Sequence, residues 1–190
     1  MRVIGLAGWS GAGKTTLILK LIPELARRGI AVSTVKHAHH AFEVDRPGKD
    51  SFEHRAAGAR EVLVASGKRW ALVHELRHES EPPLARLLQR LSPVDLVIVE
   101  GFKASAHPKI EVYRSANGKP FLFADVPNVL AIASDVPVTG APVPVVGLDD
   151  IAAVAGRVLA LARPLDEVIA ALEARGPSER HVPDSPARQP

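Results

Sequence analysis

The octapeptide GWSGAGKT, Gly8 to Thr15, fits the pattern G-x-x-x-x-G-K-[ST] in full. It constrains the fold more than any other stretch, because it works only where a strand runs into it and a helix leaves it. RVIGLA, Arg2 to Ala7, is a short apolar run that reads as a buried strand. KTTLILKLIPELARRG, Lys14 to Gly29, carries Leu17, Leu21 and Leu25 at helical spacing, with Ile18 and Ile22 beside them. It closes on Arg27, Arg28 and a Gly29 cap, and Pro23 inside it predicts a kink. The glycines let backbone N–H groups turn inward around an anion, and the helix start adds its positive dipole end. In such a loop Lys14 reaches the β- and γ-phosphates of a nucleotide, and Thr15 places its hydroxyl on Mg²⁺. The candidate phosphate-binding residues are Gly8, Trp9, Ser10, Gly11, Ala12, Gly13, Lys14, Thr15 and Thr16.

Beyond the loop, strands and helices alternate. AVSTVK reads as a second strand and DSFEHRAAGA as a short helix capped by Asp50 or Ser51. REVLVAS and RWALVHEL, joined by GK, read as a hairpin. PPLARLLQRL is a helix started by proline. VDLVIVEGF is the most apolar strand, as central parallel strands are. KIEVYR, VLAIASD and PVPVVGL follow as strands, then LDDIAAVAGRVLALA as an aspartate-capped helix and LDEVIAALEAR as another. The pattern predicts an α/β fold of the P-loop NTPase class: a mostly parallel twisted sheet with helices on both faces. At 190 residues, a single domain over 1–175 is expected. The last 15 residues hold four prolines and no apolar periodicity, and 176–190 read as a disordered tail.

Composition excludes several classes. With no cysteine, disulfides, thiolate metal sites and cysteine nucleophiles are ruled out. No run of about 18 apolar residues suggests a membrane span, and no signal peptide is legible, so a cytoplasmic protein is expected. A net charge of +3, from dispersed basic residues, gives no footprint for nucleic acid.

A phosphate cradle needs an acidic group near its metal. Glu100 ends the most apolar strand, where the ligand crevice of an open parallel sheet lies. Asp95 is a weaker candidate because it stands near that strand's start. Asp50 is a further candidate metal or water ligand. Lys14, Glu100 and Asp50 form the candidate catalytic set, and Thr15, Glu100 and Asp50 the candidate metal ligands. Asp135, after VLAIAS, suits the N1–H and N2–H₂ donors of guanine. No N-K-x-D signature accompanies it, and a strand-end cap reads equally well. His37, His39 and His40 follow the second strand. Their spacing is no usual zinc pattern. A segment contacting phosphate or Mg²⁺, a metal site with Glu43 and Asp45, and a polar loop are the three readings. The phosphate role predicts tighter anion binding as pH falls through about 6.5, and the metal role the reverse.

GWSGAGKTT, VKHAHHAFEVDRPGKDSFEHRAAGA, VASGKRWALVHE, LVIVEGFK and AIASDVP together resemble the molybdopterin-guanine dinucleotide biosynthesis protein B (MobB) family, over about residues 2 to 150. The resemblance implies a dimeric GTP-binding protein with weak GTPase activity. Its partner would be the nucleotidyltransferase MobA, which joins GMP to molybdopterin, with molybdopterin a further candidate ligand. GTP and Mg²⁺ are the implied cofactors. By position, Gly8 to Thr16 bind phosphates, Glu100 takes the metal side, and Asp50 and His37 to His40 face nucleotide or cofactor phosphates. Trp9 stands where some related dimeric P-loop proteins carry a second lysine, so no lysine acts in trans from that position. The alternative is a small-molecule kinase, which needs a lid and an acceptor pocket; no Arg-rich lid segment is legible. A nucleotide-dependent scaffold is a third reading.

Overall fold

A computed structural model describes residues 1–38 and 44–175. Residues 39–43 and the expected tail at 176–190 lie outside the described residues. The chain divides into two compact units, Met1–His37 with Pro83–Pro190, and Ala38–Pro82.

The first unit is built on a parallel sheet. Its strands are β1 (Arg2–Ala7), β2 (Val32–Lys36), β5 (Leu96–Glu100), β6 (Lys109–Tyr113), β7 (Val129–Ser134) and β8 (Val145–Gly147), in the order β2-β5-β1-β6-β7-β8. All of these pairs are parallel. A two-residue strand, β9 (Arg163–Pro164), pairs antiparallel with the first half of β1, while β6 takes the second half. β5 is buried from Leu96 to Val99, as expected of a strand covered on both faces.

Helices α1 (Lys14–Arg27) and α4 (Ile151–Leu161) cover one face. Leu17, Ile18, Leu21 and Leu25 of α1 pack there against Ile4, Leu6, Ile98 and Ile110, with Val154, Ala155 and Val158 of α4. Each fully buried aliphatic side chain contributes about 1.5–3 kcal/mol. Helices α3 (Leu84–Leu88) and α5 (Leu165–Ala174) cover the other face, where Leu84, Leu88 and Val168 meet Val3, Val97 and Val99. Alternate residues of β1 and β5 thus serve opposite faces.

Two of the predicted caps form. Gly29 takes φ 76°, the Gly29 N–H donates to Ala26 O at 2.9 Å, and the Ile30 N–H donates to Leu25 O at 3.0 Å, closing α1 in a Schellman turn. Asp150 caps α4 by accepting from the Ala153 N–H at 3.0 Å. Two expectations shift. Helix α3 is shorter than PPLARLLQRL suggests, because Pro83 stays extended ahead of it and the chain turns at Gln89 and Arg90. Lys49, and neither Asp50 nor Ser51, is the N-cap of the next helix.

The second unit holds that helix, α2 (Asp50–Ala56), and an antiparallel hairpin of β3 (Glu61–Ala65) and β4 (Trp70–His74). The Arg55 guanidinium donates to Glu75 at 2.6 Å and pairs with Asp45 at 3.6 Å.

Candidate functional site

Parallel pairing brings four strand ends to one edge. Glu100 stands opposite Leu6 of β1 and Lys36 of β2, and Ala7 stands opposite Glu111 of β6. The chain leaves β1 at this edge through Gly8. A Cβ at Gly8 would lie 2.6 Å from Val112 O, so any other residue would push the loop off β6. Gly11 and Gly13 take φ 79° and 91°, the left-handed region open to glycine. Ala12 is buried beneath the loop, while Ser10, Thr15 and Thr16 are exposed.

Lys14 turns back over the loop, donating from Nζ to Gly8 O at 2.9 Å and Trp9 O at 3.0 Å. The Thr15 hydroxyl donates to Glu100 Oε1 at 2.8 Å. Lys36 Nζ lies 3.8 Å from Glu100 Oε2. A hydroxyl and a carboxylate oxygen thus sit side by side at the mouth of the loop, which is the donor chemistry of a hard divalent cation. The oxygens of Thr15 and Glu100 therefore fit Mg²⁺, and the glycine nest fits a phosphate chain.

The segment after β6 braces the loop from the other side. Asn117 Nδ2 donates to Ser10 O at 2.9 Å. The Trp9 indole N–H donates to Pro120 O at 2.7 Å, and the ammonium groups of Lys103 and Lys119 lie 5.1 and 5.9 Å from its ring centroid. Glu111, almost fully buried, anchors the brace by accepting from the N–H groups of Leu122 at 2.7 Å and Phe123 at 2.9 Å. Burial pushes its carboxyl pKa up, and the two N–H bonds pull against that. Asp135 accepts from the Ser115 N–H at 2.8 Å and the Ser115 hydroxyl at 3.1 Å, capping the 3-10 turn Ser115–Asn117.

His37 follows β2 at the same edge, one strand removed from β1. Its ring lies on Phe102, with centroids 4.7 Å apart, and the His37 backbone N–H donates to Glu100 O at 2.9 Å. His39, His40 and Glu43 lie outside the described residues. Among the described residues no three His, Asp or Glu side chains gather as a metal-binding group. Asp50 opens α2 in the second unit. Asp95 sits at the opposite end of β5, where its carboxylate accepts from the Ala31 N–H at 2.8 Å.

The sequence reading missed Lys36, Lys103, Arg114 and Asn117, which the fold brings to the loop. A signal existed for two of them. Lys36 and Arg114 stand at the carboxyl ends of strands, the edge where ligands of parallel sheets bind. Asn117 had none, because its contact depends on how the segment after β6 folds back.

The model of the MobB family, molybdopterin guanine dinucleotide synthesis protein B, matches residues 3–135. The chain is 48% identical over 138 residues to the molybdopterin-guanine dinucleotide biosynthesis adapter protein of Escherichia coli (strain K12), covering 71% of this chain and 79% of that one. It is 45% identical over 136 residues to the adapter protein of the same name from Haemophilus influenzae, covering 71% and 75%. A crystal structure of molybdopterin-guanine biosynthesis protein B superposes with a TM-score of 0.66 at 29% identity, covering 83% of this chain and 97% of that one.

Proposed function

This chain belongs to the family of molybdopterin guanine dinucleotide synthesis protein B, and on that premise we propose that it is a GTP-binding adapter in the assembly of that dinucleotide cofactor. Its partner would be a MobA-type guanylyltransferase, with molybdopterin a further ligand. The reading rests on one contact above all: the Thr15 hydroxyl on the Glu100 carboxylate, at 2.8 Å, in front of a glycine-lined loop. Strong relatives with the adapter name support the pathway.

In this reading the loop N–H groups and the start of α1 bind the triphosphate. The Lys14 ammonium exchanges the carbonyls of Gly8 and Trp9 for phosphate oxygens. Thr15 and Glu100 would hold Mg²⁺, which when bound offsets phosphate charge. His37, with His39 and His40, serves phosphate groups. Asp135 keeps lone pairs beyond its two bonds to Ser115 and reads the guanine. Hydrolysis by the isolated chain is slow, since a supplied arginine is worth about 10³-fold or more in such reactions. The protein works as a cytoplasmic homodimer; among the described residues, no helix is long and apolar enough to cross a membrane.

Titration calorimetry with GTP and ATP, each with and without Mg²⁺, tests the reading. GTP is expected to bind in the presence of Mg²⁺ and more tightly than ATP. Equal affinity for the two would end the guanine assignment, and no binding of either would end the nucleotide reading.

A further inference from the structure

We propose that Arg114 is a phosphate ligand of the nucleotide site, closing the cradle from the end of β6. The inference rests on the nucleotide reading above and adds a residue to it. Arg114 directly follows β6, and its guanidinium lies against the turn into α1: a Cβ at Gly13 would sit 3.6 Å from both Nε and Nη2. The side chain is half-buried, and no described residue accepts a hydrogen bond from the guanidinium or forms an ion pair with it.

A guanidinium has five N–H donors and keeps its charge at any ordinary pH. Leaving it unpaired and partly buried is costly. The cost is sharpened by what surrounds it. Helix α1 has no acidic residue in its first turn and no side-chain cap at Gly13, so its dipole is uncompensated. Lys14 adds a second positive charge one residue on. The nearby carboxylates are committed elsewhere: Glu100 to Thr15 and Lys36, and Asp135 to Ser115. Asp135 bonds the residue next to Arg114 and leaves Arg114 alone. The Arg114 guanidinium and the uncompensated start of α1 therefore converge, and an anion there would satisfy both.

The position says which phosphates are contacted. Lys14 Nζ reaches the Gly8–Trp9 end of the loop, where β1 runs in. Arg114 lies at the Gly13 end, where α1 begins. A phosphate chain along the loop meets the two cations at different points, and Arg114 serves the groups that a nucleoside diphosphate already has. The arginine is held ready by two contacts on its own segment, the Asp135 cap on Ser115 and the Asn117 bond to Ser10 O.

The test compares wild type, Arg114→Ala, Arg114→Lys and Lys14→Ala for binding of GTP and of GDP with Mg²⁺, together with the Tm of each ligand-free protein. In Arg114→Ala, GTP and GDP are both expected to weaken by about tenfold or more, with the ligand-free Tm unchanged or slightly raised. Arg114→Lys, which keeps the charge and loses the fork, should fall between. Arg114→Ala binding both nucleotides within about twofold of wild type, while Lys14→Ala loses GTP, would overturn the assignment and leave the nucleotide reading standing. So would a ligand-free Tm that falls in both Arg114 variants, since that marks a packing role. A wild type that binds neither nucleotide would instead sink the reading on which the assignment rests.

Discussion

Lys14 concentrates the chemistry of the loop in one side chain. Its ammonium is held over Gly8 and Trp9 by two carbonyls, a placement that costs little to exchange for phosphate oxygens. Removing it should cost about 2–4 kcal/mol of triphosphate binding, because the contact is charge-assisted and has no substitute at that end of the loop. Lys14→Ala followed by GTP titration measures this; an unchanged affinity would take the loop out of the mechanism. The motif alone gathered Lys14, Thr15 and the glycines into one loop, since that placement follows from local geometry. Glu100 was legible from its place at the end of an apolar strand. Asp135 was not decided by sequence, because a strand-end carboxylate serves a base or a cap equally well. In the structure its carboxylate accepts two bonds from Ser115, and guanine recognition belongs to the proposal.

At the scale of elements, β6 carries more than its length suggests. Its residues Lys109, Glu111 and Val112 are buried, and His107 just ahead of it is fully buried with neither ring nitrogen hydrogen-bonded. The ring lies against β1 where only glycine fits: a Cβ at Gly5 would come within 2.3 Å of His107 Nε2. Burial, with the Lys109 charge beside it, holds the His107 pKa well below the usual histidine value. Lys109 itself is pushed down to about 7 by burial and then by the Arg175 charge, while its bonds to His107 O at 2.9 Å and Pro127 O at 3.0 Å favour the charged form. For His107 the sign is clear. The unfolded imidazole takes a proton below about 6.5 and the folded one does not, so stability is present above about 6.5 and is lost as pH falls below it. Urea midpoints are therefore expected to drop between pH 7 and pH 5. His107→Leu should remove part of that drop while costing little at pH 7, since it deletes a polar group with no partner. An identical pH profile in the variant would show that other groups carry the acid sensitivity.

Across the whole molecule, the hairpin unit stands apart in its surface. Leu63, Trp70 and Leu72 are 62%, 65% and 46% exposed. Leu63 and Leu72 are directly paired, and Trp70 lies two residues from Leu72 along β4, so all three share one face. A two-stranded sheet is marginal alone, and an apolar face of this kind is usually covered. A second copy of the chain is the occupant expected from the homodimer reading. Leu63→Glu combined with Trp70→Ser should shift the protein to a monomer in light scattering, with nucleotide binding retained. A double variant that stays dimeric would move the interface elsewhere.

The sequence by itself determined the alternation of strands and helices, the phosphate loop and the caps at Gly29 and Asp150, because each depends on residues within a few positions of one another. It also suggested the hairpin, whose two strands are joined by a short polar turn. Tertiary structure decided what stands beside the loop. Strand order β2-β5-β1-β6 brings Glu100, Lys36 and Arg114 to one edge, although they are far apart in sequence. Order in a parallel sheet is set by which strand faces bury together across long crossovers, and no local pattern records that. For the same reason Asn117 and Pro120, which look like ordinary loop residues, end as the braces of Ser10 and Trp9.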